Sequence, residues 1–107
     1  MNVNIPEKGL PQAILASFSL RKDLVCWRQN TGSVRIGRRF VVFGHRGAAD
    51  ITGILRDGRR VEIECKSTIG RQSKHQKDFE KMIRRMGGVY ILCRSVEEAW
   101  AKLEAAK

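Results

Sequence analysis

The chain is short of acid. Against 21 lysines and arginines it has 11 aspartates and glutamates, a formal net charge of +10 over 107 residues. No one tail holds the excess, which recurs at residues 21–22, 35–39, 56–60, 71–77 and 81–85. A folded domain this basic has a field suited to a polyanion, most simply the phosphates of nucleic acid. A basic domain with no such partner is the blander alternative. Cysteine is also scarce: Cys26, Cys65 and Cys93 are odd in number and far apart. They read as buried free thiols in a reducing compartment, which excludes a disulfide frame. There is no C-x-x-C pair, and His45 and His75 lack ligand spacing to any cysteine, so a zinc site is not expected. No apolar run approaches the length of a membrane span, and the first residues lack the shape of a signal peptide. The expected location is the cytoplasm, with no membrane partner. Repeats, linkers and low-complexity segments are missing too. What remains is one domain, residues 1–107, whose 42% hydrophobic content suffices for a core.

The most informative stretch is residues 44–66, GHRGAADITGILRDGRRVEIECK. It reads as a loop, a strand, a tight turn at Asp57-Gly58 and a second strand. In the second strand Val61, Ile63 and Cys65 alternate with Glu62, Glu64 and Lys66, so one face is apolar and the other ionic. The hairpin makes Asp50 and Glu64 near cross-strand neighbours. Two carboxylates then face one hard cation, with Lys66 close by. Glu62 shares that face one step farther from the loop end and is expected outside the metal shell. A solvated sheet face would also carry such charges. Gly44, Gly47 and Ala48-Ala49 form a loop that sets Asp50 at the mouth of the sheet, and no G-K-[ST] follows as in a phosphate-binding P-loop.

Around this hairpin, a helix is expected from Pro6 or from about Leu10 to about Leu20, with Leu10, Ile14, Leu15 and Phe18 on one stripe and Pro11 best placed in its first turn. Glu7 and Gln12 could look toward a site or simply lie exposed at the helix start. Residues 23–27 read as a strand, 29–32 as a turn, and 34–43 as a strand region broken at Gly37. Trp27 beside Arg28 could stack on a base, but a tryptophan next to Val and Cys is expected in the core. Ser73 and Gln76 have capping-box spacing ahead of a helix whose apolar stripe is Phe79, Met82, Ile83 and Met86. Gln76 could serve the cap or the site. Gly87-Gly88 ends that helix. Residues 89–93 form an apolar strand, and Ser95 with Glu98 opens a last helix with Val96, Ala99, Trp100 and Leu103 inward. The order implies an α/β domain, a mixed sheet flanked by helices.

Asp50, then Glu64-Cys65-Lys66, then Gln76 resembles the PD-(D/E)XK nuclease superfamily and, more narrowly, the VRR-NUC (virus-type replication-repair nuclease) family. Matching pieces run nearly end to end. They include Glu7 with Ala13-Ile14-Leu15, Trp27-Arg28 with Asn30-Thr31-Gly32, and Phe43-Gly44 with Gly47-Ala48-Ala49-Asp50-Ile51. Ile63-Glu64-Cys65-Lys66, Ser73 with Gln76, Gly87-Gly88 and Arg94-Ser95-Val96-Glu97-Glu98 follow. Pro11 departs from the pattern, standing where the family tends to have glutamine, and Gln12 comes next.

The resemblance implies a restriction-endonuclease-like core and metal-dependent hydrolysis of DNA in a bacterial or phage-infected cell. By position, Asp50, Glu64, Lys66 and Gln76 would be the catalytic set. Asp50, Glu64 and the backbone carbonyl of Cys65 would hold Mg²⁺ or Mn²⁺, with Glu7 a further candidate ligand. A stand-alone domain of this kind suits branched DNA such as a four-way junction, cut by a homodimer. A DNA-binding module without catalysis, and a nuclease acting on flaps or single strands, are the alternative functions.

Overall fold

The computed structural model describes residues 7–30 and 32–107, without the side chains of residues 7, 32–34, 42 and 43. A 3-10 turn, Glu7–Gly9, leads into α1 (Leu10–Phe18), with Pro11 in its first turn. There the missing N–H has no helical partner to lose. The helix therefore starts near Leu10 and does not bend at Pro11. Strand β1 (Leu24–Arg28) follows, then β2 (Gly32–Ile36), β3 (Arg39–Phe43), β4 (Ile51–Leu55) and β5 (Arg60–Cys65). Helix α2 (Lys74–Arg85), β6 (Val89–Cys93) and α3 (Val96–Ala106) complete the chain.

The protein is α/β. Its mixed sheet has the order β1-β4-β5-β6, antiparallel except for the parallel β5–β6 pair. Gly58, at φ +93°, makes the turn between β4 and β5 that Asp57-Gly58 predicts. Residues 34–43 differ from expectation. They belong to a hairpin, β2 with β3, that forms a two-stranded sheet of its own. Gly37, at φ +62°, marks its turn and not a break within one strand.

One face of the main sheet meets α1 and α3. Val61, Ile63 and Cys65 pack there with Leu10, Ile14, Phe18, Ile91 and Leu103, as the alternation in β5 requires. The other face meets α2 through a smaller cluster of Ala49, Phe79, Ile83 and Tyr90. Because α2 covers the β5–β6 half of that face, Glu62 and Glu64 lie beneath it, 0% and 3% exposed. That half of the face is not solvated. The β1–β4 half is open around Val25, Trp27 and Ile54, which overturns the expected core place for Trp27: it is 48% exposed. Met86 likewise leaves the α2 stripe. It is the C-cap, past the last turn, and points to solvent.

At the β6 edge, Arg84 donates to the Tyr90 carbonyl (3.3 Å) and Lys102 to the Leu92 carbonyl (2.6 Å). At the start of α3, Ser95 Oγ accepts from the Glu98 N–H, while the Glu98 carboxylate reaches back to the Arg94 N–H, one residue beyond where a capping box closes.

Candidate metal and catalytic site

The β4–β5 register sets Ile51 opposite Ile63, which leaves Asp50 facing Glu64 one step beyond the paired strands. Asp50 Oδ2 accepts from the Cys65 N–H at 2.8 Å. That bond fixes the carboxylate against the end of β5. In an extended strand a residue's N–H and C=O point the same way, so the Cys65 carbonyl shares the Asp50 side. The Asp50 backbone is anchored in turn. Its carbonyl accepts from the Gln29 N–H at 2.8 Å, and the Gln29 side chain donates to the Ala49 carbonyl. Arg28 Nη2 stands 3.9 Å from Asp50 Oδ1.

Glu64 is the unusual member. One oxygen, Oε2, accepts from Gln76 Nε2 at 3.2 Å and lies 3.7 Å from Lys66 Nζ. The other, Oε1, is buried with no partner among the described residues. Burial, and then the adjacent negative Asp50, push the Glu64 carboxyl up to about 8 against the pull of Lys66.

Gln76 serves both the helix cap and the site. Its Oε1 accepts from the Ser73 N–H at 2.8 Å while Ser73 Oγ accepts from the Gln76 N–H, a closed capping box. The same amide turns its nitrogen to Glu64. The N-terminal end of α2 is thereby locked to the carboxylate.

Gly47 completes the frame. At φ +80° it lies so close to the first turn of α2 that a Cβ would sit 2.2 Å from the His75 carbonyl oxygen. The loop ahead of Asp50 can therefore rest directly on the helix that carries Gln76. On the far side Arg94 Nη1 donates to the carbonyls of Ser67 (2.6 Å) and Gly70 (2.8 Å), pinning the loop that leaves Lys66. No positioning role for Arg94 follows from its residue type. The signal lay in the parallel strands: Cys93 pairs with Cys65, so Arg94 follows β6 as Lys66 follows β5.

The structure thus brings together Asp50, Glu64, Lys66, Gln76 and the Cys65 backbone. Glu62 lies apart, beside Thr52 and Tyr90 in the register, with Oε1 3.2 Å from Arg60 Nε. Its carboxyl is also raised, mainly by burial. The side chain of Glu7 lies outside the described residues, and Gln12 is exposed on α1. A cleft of about 600 Å³ lies elsewhere, along β6 between α2 and α3. Its acid, Glu80, is already held by Gln72 and Arg84.

No family model, curated protein or solved structure matches this chain.

The donors suit a hard divalent cation. An unpartnered buried carboxylate oxygen beside a second carboxylate is costly without a positive charge to face it. Among the described residues no three of His, Cys, Asp and Glu gather as ligands. Two carboxylates and a carbonyl fit an ion such as magnesium, which keeps several of its waters.

Proposed function

We propose that the protein is a metal-dependent nuclease that hydrolyses DNA phosphodiester bonds, with a restriction-endonuclease-like core of the VRR-NUC kind. The observation that carries this reading is the Glu64 carboxylate, buried with one oxygen unsatisfied, facing Asp50 and flanked by Lys66. Asp50, Glu64 and the Cys65 carbonyl would hold Mg²⁺ or Mn²⁺. The bound ion would acidify water and neutralise charge building on the phosphorus centre.

Each residue then has a part. Asp50 is held through Oδ2 by the Cys65 N–H and would offer Oδ1 to the ion. Glu64 would bind the ion as the deprotonated carboxylate. Lys66 would stabilise charge on a phosphoryl oxygen or orient the attacking water. Gln76 holds Glu64 in place through Nε2. The net charge of +10 draws the polyanion to the site. The substrate is expected to be chosen by shape, which favours branched DNA such as a four-way junction.

The test is cleavage of a labelled four-way junction with Mg²⁺ or Mn²⁺ by wild type, Asp50→Ala, Glu64→Ala and Lys66→Ala. Wild type should cut, and each variant should lose on the order of a hundredfold or more in rate. Three variants that cut as well as wild type would refute the assignment. Binding without cutting by wild type would leave a DNA-binding module.

A further inference from the structure

Between Asp23 and Asp50 the chain has no acid at all and no lysine, but five arginines: Arg28, Arg35, Arg38, Arg39 and Arg46. The β2–β3 hairpin occupies the middle of this stretch. Its register pairs Ile36 with Arg39 and Arg35 with Phe40, so alternation puts Ile36 and Arg39 on one face and Arg35 and Phe40 on the other. The Arg35 guanidinium lies over the Phe40 ring at 5.7 Å. Each face carries an exposed apolar side chain: Ile36 is 62% exposed and Phe40 70%. A hairpin built to pack on its own domain hides one face, and among the described side chains this one hides neither. It also forms no ladder with the main sheet. Two strands alone are marginal in water.

We propose that the β2–β3 hairpin enters a groove of double-stranded nucleic acid. The major groove admits a two-stranded ribbon and presents walls to both of its faces at once. Arg35, Arg38 and Arg39 then meet phosphates on either side, where arginine's planar fork binds better than lysine. Ile36 and Phe40 contact the groove floor and sugars. A second copy of this chain is the poorer occupant, because two such hairpins carry the same charge. Past β3 the path continues toward the carboxylates. The loop after Gly44 and helix α2 enclose a groove of about 420 Å³ whose basic lining is His45, Arg46, His75, Lys81 and Arg85. Its acid, Asp78, is paired with Lys74 at 2.9 Å. In chain order the hairpin leads to the His45-Arg46 loop of this groove and then to Asp50.

The inference rests on the nucleic-acid half of the reading above and not on cleavage. Its test is therefore binding of a short labelled duplex without divalent ion across a salt series. Arg35→Gln/Arg38→Gln/Arg39→Gln is compared with a control losing three charges elsewhere, Lys8→Gln/Lys22→Gln/Arg56→Gln. The hairpin variant should bind on the order of a hundredfold more weakly at low salt, with the log–log salt slope reduced by about 2 to 3, and Phe40→Ala should weaken binding further at unchanged slope. The control should change little, and polyglutamate should not distinguish the two variants. In wild type, duplex should protect Arg35, Arg38 and Arg39 from trypsin, a readout that needs no variant to fold. The proposal is overturned if wild type does not bind duplex, if hairpin and control lose equally, or if the arginines stay cleavable in the complex. It is also overturned if the hairpin variant changes only the molecular mass in light scattering. A wild type that binds through the hairpin but never cuts would remove the nuclease reading and leave this one standing.

Discussion

Glu64 keeps its proton at a pH where a solvated carboxylate has lost it. Its ordinary value is 4.5, and in the fold it rises to about 8. Between those values the folded protein binds more protons than the unfolded chain, so this group's contribution to stability falls as pH rises. It is most favourable below about 4.5 and is spent above about 8. Glu64→Gln, neutral at every pH, should remove that decline. In buffer free of divalent ions, thermal melts followed by circular dichroism should show the variant gaining on wild type as pH increases. The gap at about pH 8 should reach several degrees, roughly 1–3 kcal/mol. A gap constant from about pH 5 to pH 8 would mean Glu64 is not the group being titrated. Glu62, also raised, leaves a residual slope in both proteins. On the proposed metal site, raising pH should also favour cation binding, since the ion would displace the Glu64 proton.

At the scale of elements, the site depends on one close approach, the Gly47 loop lying on α2. Gly47→Ala puts a methyl 2.2 Å from the His75 carbonyl and forces a non-glycine residue to φ +80°. The variant should lose roughly 1–3 kcal/mol by denaturant titration. On the proposed nuclease reading it should also lose cleavage rate beyond what the melt explains, because Asp50 and Gln76 move apart. A variant that melts and cuts like wild type would show that the joint is not needed. The same elements show what could be read in advance. The β4–β5 hairpin, the Ser73 cap and the apolar face of β5 follow from local rules: an Asp-Gly turn, capping-box spacing and a period of two. Asp50 and Glu64 were legible as neighbours for the same reason. The burial of Glu62 and Glu64 was not, since alternation reports which face a residue takes and nothing about what covers that face. Trp27 failed likewise: its apolar neighbours on β1 mark a strand, but no helix covers that half of the sheet. The separate β2–β3 sheet was hidden because an apolar run names a strand without naming its partner.

For the whole molecule, charge sets behaviour before any contact forms. A domain with net charge +10 on 12.2 kDa resists self-association through its own field, so a homodimer must bring together surfaces away from the arginine-rich hairpin. We propose that it does pair, because a four-way junction presents two equivalent strands to be cut and one small domain offers one carboxylate pair. Size-exclusion chromatography with light scattering at micromolar concentration should give about twice the 12.2 kDa chain mass. A monomer mass across that range would remove the paired arrangement and leave single-site cutting. Whichever surface such pairing uses, one flank of the sheet is closed to it. Border strands invite foreign backbone to dock and extend the ladder. Here two cationic side chains from flanking helices already occupy the carbonyls that an incoming strand would seek. Along that margin the molecule is guarded against fibrous polymerisation.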